Sequence, residues 1–273
     1  MKITNNKLVA ELPEPNIPFV NSPNQGGVIT PKYLIIHFTA GRSANSSIDW
    51  FKNPDAKASA HLVIGRDGSI TQMVDFNKKA WHAGDSRWAN IVGLNNYSIG
   101  IELDNPGHLK NVNGRWMSWF GAEYPATDVM IAQHKHQDAP TGWHIYTAAQ
   151  LDACIKVSQL LVSKYGLLDI LGHEDIAPNR KEDPGPAFPM ESFKSRVLGR
   201  ADDVADIFKT NTPNANFRKG PSTQFDTMGT LALGTKVEFI ASNNGWFNVF
   251  IIKKPASVTD SIGWINGSLL TKV

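Results

Sequence analysis

Three residues far apart in the chain carry donor atoms of the kind that hold a catalytic metal. His37 ends an apolar run, and His173 and Asp183 both lie in the stretch GHEDIAPNRKEDPGP. Two imidazoles and a carboxylate, with a fourth position open to water, suit a catalytic zinc. Such an ion lowers the pKa of its water to about 7 and polarises a carbonyl. Glu102, set among small residues in YSIGIEL, is the carboxylate available to take the proton. Lys181, just before Asp183, is the cation available to stabilise a developing oxyanion. These parts amount to hydrolysis of an amide or ester by activated water. The residues alone leave plainer readings open. A histidine at a strand end is commonly a hydrogen-bonded structural residue, Asp183 before Pro184 is a natural turn former, and Lys181 suits simple solvent exposure.

Several elements must position these groups. YLIIHF alternates at period two, with Leu34, Ile36 and Phe38 on one face and Tyr33, Ile35 and His37 on the other. It reads as a buried strand that delivers His37 at its end. SSIDWF reads as a short helix, and AHLVIGRDGSITQMV as two strands around an Arg-Asp-Gly turn. In YSIGIEL, Ser98, Gly100 and Glu102 share a face, so the carboxylate looks onto open space rather than packed core. TAAQLDACIKVSQLLVSKYG is the clearest helix, opened by a Thr147–Gln150 capping box and closed by Gly166. MESFKSRVL reads as a further short helix. GHEDIAPNRKEDPGP itself shows no helix or strand pattern.

Composition narrows the possibilities. With 41% apolar and 19% charged residues the chain is an ordinary globular one. Its net charge of +2 is too small to bind nucleic acid by bulk electrostatics. Cys154 is the only cysteine, which excludes disulfide stapling and a thiolate zinc site, so a metal must sit on His, Asp and Glu. No run approaches the ~18 consecutive apolar residues of a membrane span. MKITNNKLVAELPEPNIPF lacks the apolar core of a signal peptide, so cytoplasmic synthesis is expected, with export or release by another route left open. The texture divides the chain at about residue 201. Residues 1–27 read as an extended N-terminal arm, 28–201 as a mixed α/β domain, and 202–273 as a compact all-β module.

YLIIHFTAG, SAHLVIGRDGSITQMV, AWHAGDS, NYSIGIEL and GHEDIAPNRKEDPGP occur in one order. Together they resemble the zinc-dependent N-acetylmuramoyl-L-alanine amidases of the type 2 family, over about residues 28 to 198. The resemblance implies a mixed central β-sheet flanked by helices, with Zn2+ held by His37, His173 and Asp183. It further implies Glu102 as catalytic carboxylate and Lys181 as its electrophilic partner. His61, Trp81 and His82 fall beside the cleft as substrate contacts, a structural role being the other reading of the two histidines. The implied reaction cleaves the bond between the lactyl group of N-acetylmuramic acid and L-alanine, in peptidoglycan or in anhydromuramyl peptides. The main rival is a non-catalytic peptidoglycan-recognition protein on the same fold, and a second is a zinc hydrolase acting on another amide.

NFRKGPSTQFDTMGTLALGTKVEFI, NGWFNVF and GWINGSLL resemble a bacterial SH3-like barrel, which implies cell-wall binding or a plain spacer. The compact family pattern is shorter over residues 105–146. That region reads as loops carrying His108, Trp116, Trp119, His134, His136 and Trp143. Its HKH sequence reads as a surface or rim pair, or else as a metal-binding pair.

Overall fold

The alternation of YLIIHF is that of a central strand. In the computed structural model, which describes residues 1–199, 206–259 and 261–273, Tyr33–Phe38 runs inside a five-stranded sheet. The order is Asp169–Gly172, Tyr33–Phe38, Ser98–Leu103, Leu62–Ile64 and Ile70–Gln72. The first four strands are parallel and the last antiparallel. Leu34 and Ile36, with Ile99, Ile101 and Leu103, share one core with Leu151, Cys154, Val157 and Leu161 of the helix Ala148–Tyr165. Burying each such aliphatic side chain contributes roughly 1.5–3 kcal/mol. The capping box at Thr147 and the left-handed Gly166 bound this helix as expected, and Cys154 is fully buried in it. On the opposite face Ile35 packs with Leu94, Leu171 and Ile176. In-register pairing sets Glu102 directly opposite His37 at the carboxyl ends of neighbouring parallel strands. That end of an open α/β sheet is where a ligand crevice forms.

Four expectations need correction. Residues 1–27 are not simply an extended arm: Lys2–Thr4 and Lys7–Val9 form a hairpin. Asn5 and Asn6 both adopt positive φ at its turn, which suits a tight two-residue hairpin. Leu8 is buried in the main core, and its N–H donates to Gln72 Oε1. Residues 105–146 are not loops but largely a second antiparallel sheet. Its order is Glu123–Tyr124, Arg115–Met117, His108–Val112, Pro140–His144 and Val129–Gln133. Trp143 anchors it, fully buried, with its indole N–H donating to Ala132 O. The GHEDIAPNRKEDPGP stretch starts at the end of a strand and contains a one-turn helix, His173–Ile176, whose Asp175 side chain accepts from Gly172 N–H. The HKH histidines are not an exposed pair, since only His136 is exposed. His134 is buried and donates to Glu174 Oε2, and His136 donates to the Glu174 carbonyl.

From Ile207 onward a seven-stranded antiparallel sheet curls around its own apolar core of Phe217, Leu231, Val237, Val249 and Ile265. The expected boundary at 201/202 lies outside the described residues. The all-β module rests on the helix Met190–Leu198 of the larger part. Glu238 Oε1 accepts from the Ser192 hydroxyl at 2.6 Å and Oε2 from Arg196 Nε at 3.1 Å, and the Arg196 guanidinium lies 3.3 Å from the Phe250 ring centroid. Ile240, Phe250 and Ile262 extend the main core across this contact. Among the described residues no helix is long and apolar enough to cross a membrane.

Two histidines outside the site make stability depend on pH. Burial pushes His61 down to about 4, and burial together with the nearby Arg66 guanidinium pushes His144 down to about 3. Both folded values lie below the 6.5 of a free imidazole, so the unfolded chain takes up these protons first. Their contribution is complete above about pH 6.5 and is lost as pH falls towards 4. The thermal midpoint measured between pH 7 and pH 4.5 is expected to fall steadily across that window. A flat midpoint would contradict the buried neutral state.

Candidate metal centre and active site

His37 leaves the central strand, His173 opens the one-turn helix, and Asp183 follows a turn whose backbone folds back on that helix through Glu174 N–H donating to Asp183 O at 2.8 Å. Their donor atoms converge. His37 Nδ1 and His173 Nδ1 are 3.0 Å apart, and Asp183 Oδ2 lies 2.8 Å from the first and 3.0 Å from the second. All three residues are buried. Ligand atoms around one tetrahedral zinc at about 2.0–2.1 Å stand roughly 3.3 Å apart, close to what is seen here. The tautomer of His173 fits as well: its Nε2–H donates to Ala83 O at 3.1 Å, which leaves Nδ1 bare. The cluster His37, His173 and Asp183 could therefore hold a metal ion.

Electrostatics agree with a cation there. Burial raises the Asp183 carboxyl, but the imidazoles of His173 and His37 set against it outweigh this and hold the group far below the usual carboxylate range. Burial, then the neighbouring His173, push His37 down to about 4 against the opposing pull of Asp183. Burial raises Glu102 well above the ordinary glutamate value; Asp183 adds to this and Lys181 opposes it. Glu102 Oε2 is buried without a hydrogen-bond partner, an arrangement a structural carboxylate rarely shows. Glu102, Lys181, Trp81 and His82 line one cavity of about 440 Å³ together with the three convergent residues. Trp50 and Trp119, 55% and 76% exposed, form its outer wall. Trp119 reaches in from the second sheet, its indole N–H donating to Ala40 O at 2.8 Å. A larger cavity of about 570 Å³ lies between Met190 and Phe239, behind Glu174, and among the described residues it shows no comparable convergence of donors.

The family model for N-acetylmuramoyl-L-alanine amidase matches residues 27–186, and that for the bacterial SH3 domain matches residues 213–271. The chain belongs to the N-acetylmuramoyl-L-alanine amidase family. The first match covers every residue of the convergent cluster and Glu102. The chain is similar to the N-acetylmuramoyl-L-alanine amidase AmiD of Escherichia coli, 29% identical over 214 residues, which are 74% of this chain and 64% of that one. It is 34% identical over 146 residues to the 1,6-anhydro-N-acetylmuramyl-L-alanine amidase AmpD of Enterobacter cloacae, covering 53% of this chain and 59% of that one. N-acetylmuramoyl-L-alanine amidase A of Achromobacter lyticus is 46% identical over 168 residues, 61% of this chain and 82% of that one. The chain thus spans less than two thirds of the AmiD and AmpD relatives.

Among the residues expected at this site, His61 departs most from expectation. His61 is fully buried, with Nε2–H donating to Lys78 O and Nδ1 accepting from Gly100 N–H, so it has no atom left for substrate. The expectation that it contacts substrate is corrected. His82 borders the cavity, but both its ring nitrogens are engaged by protein partners, His37 Nε2 and Ser98 Oγ. Sequence reasoning missed Glu174. Its Oε2 accepts from His134 and from Gly185 N–H, so the second sheet braces the turn that carries Asp183. The adjacency of Glu174 to His173 is the one signal that could have found it.

Proposed function

We propose that this chain hydrolyses the amide between the lactyl group of N-acetylmuramic acid and L-alanine, with zinc held by His37, His173 and Asp183. What carries the reading is a buried, unpartnered carboxylate, Glu102, on the same cavity as three convergent donor atoms within a matched amidase domain. A bound zinc supplies Lewis acidity, polarising the scissile carbonyl and making water acidic enough to lose a proton near neutral pH. Glu102 takes that proton and hands it to the leaving amine; its raised pKa brings it nearer the working pH, where a general base is most effective. Lys181 stabilises the tetrahedral oxyanion from the same cavity. Trp81 and the exposed indoles of Trp50 and Trp119 offer faces for sugar or peptide. A protein that only recognised fragments would have no use for an orphaned carboxylate beside the metal donors.

The catalytic part corresponds to residues 28–201, and a wall-binding barrel to 202–273. The SH3 match supports the barrel's role, as does its groove of about 220 Å³ bordered by Arg218, Trp246 and Asn266. Relatives named for 1,6-anhydro-N-acetylmuramyl-L-alanine favour soluble muropeptides as substrate, and the barrel favours intact wall. The test is parallel digestion of purified sacculi and of an anhydromuramyl tripeptide, with and without a chelator. New alanine amino termini should appear, vanish on chelation and return with added zinc. Binding without release from either substrate would replace this reading with the recognition-protein one.

A further inference from the structure

The turn at His82–Ala83 touches both imidazoles of the metal cluster. The Ala83 carbonyl accepts from His173 Nε2–H at 3.1 Å. His82 Nδ1 lies 3.0 Å from His37 Nε2, and His82 Nε2 lies 3.2 Å from Ser98 Oγ. Ser98 in turn donates to Leu94 O at 2.6 Å. Because a carbonyl only accepts, that last contact orients the whole chain of hydrogen bonds. The Ser98 hydroxyl proton is committed to Leu94, so towards His82 the oxygen accepts. His82 must then carry its proton on Nε2, which leaves Nδ1 as an acceptor. An acceptor facing His37 Nε2 requires the proton of His37 on that nitrogen, and His37 Nδ1 is left free to face Asp183 and His173. The backbone of the turn is itself held, since Asn95 Oδ1 accepts from His82 N–H at 3.0 Å and from Ala83 N–H at 2.7 Å. The sheet makes room for the ring: a Cβ at Gly100 would come within 2.5 Å of His82 Cγ.

We infer that His82, Ser98 and Asn95 are positioning residues that fix both metal-binding imidazoles in the Nδ1-ligating tautomer, rather than contacts for substrate. The inference rests on the zinc reading above. Partners that orient a ligating histidine are worth about 10–100-fold in metal affinity.

The test measures the zinc dissociation constant of the full chain by chelator competition, alongside histidine ¹⁵N–¹H correlation spectra of the zinc-loaded protein. Near-UV circular dichroism checks the fold of each variant. Wild type should show His82 protonated on Nε2 alone and His37 on Nε2. His82→Leu should weaken zinc binding by about 10–100-fold. His82→Asn, which keeps an acceptor near the Nδ1 position, should recover most of that loss. Ser98→Ala, which frees His82 to reverse its tautomer, should weaken binding severalfold and change the His82 spectrum. A wild-type His82 protonated on Nδ1 would overturn the inference, as would folded His82→Leu and Ser98→Ala that bind zinc like wild type. If His82→Leu does not fold, the wild-type spectrum and Ser98→Ala decide. Wild type that binds no zinc at all would instead remove the underlying zinc reading.

Discussion

Exchanging Glu102 for glutamine is expected to lower turnover by about 10²–10⁴-fold, the range for loss of a general base, while zinc content stays at the wild-type level. Metal retention follows from geometry, because the convergent donor atoms belong to His37, His173 and Asp183 and none to Glu102. The lost rate follows from chemistry, since an amide of equal size cannot accept the proton of water. Burial raises the Glu102 carboxyl, with Asp183 next and Lys181 opposing. The wild-type rate should therefore fall on the acid side as this carboxylate protonates, and the glutamine variant should lack that limb. The measurements are kcat from released amine across pH and metal content by elemental analysis. A variant with wild-type kcat would take the proton-transfer role away from Glu102, and one without metal would make it a ligand.

The contact between the barrel and the helix Met190–Leu198 carries the second large effect. Arg196 and Glu238 are nearly buried, with side chains 11% and 9% exposed, and Arg196 Nη2 already lacks a partner. Glu238→Ala strands the guanidinium charge and removes the acceptor of the Ser192 hydroxyl. Breaking one side of a buried pair costs about 3–5 kcal/mol. Urea unfolding of the full chain should show this loss, either as an earlier transition or as separation into two. Asp226→Ala is the control. Its pair with Lys219 is 77% and 61% exposed, and such pairs contribute about 0–1 kcal/mol. Equal effects of the two substitutions would mean that the Glu238 contact does not hold the parts together.

The elements legible in the sequence are those whose signal is local. Alternation in YLIIHF revealed which face carries His37, and Thr147, Gln150 and Gly166 marked both ends of the long helix. Small residues at Ser98 and Gly100 pointed to space on the face of Glu102: Glu102 borders the cavity, and His82 fills the part beside Gly100 and Ser98. What stayed hidden depends on partners distant in the chain. The hairpin at the amino terminus has three-residue strands, too short for a periodic signal, and is held by Gln72 and the main core. His134 looked like half of a surface pair because Glu174, forty residues later, cannot be matched to it by spacing. The second sheet was obscured for the same reason, its short strands being interleaved with polar turns. The ring partners of His82 were hidden as well, because neighbourhood in sequence says nothing about where a ring nitrogen points.

The bolted barrel also bears on how this chain would grip a polymer. A binding module on a slack tether raises the local concentration of its partner over many orientations. One held on the Met190–Leu198 helix by Arg196, Glu238 and Phe250 would instead present one orientation and one spacing to the cleft. Avidity arises only where both sites can be engaged at once and vanishes where geometry forbids it. With the barrel holding wall as proposed, the chain would act as a caliper, cutting stems at one distance from the point it holds and gaining nothing on fragments too small to span both sites.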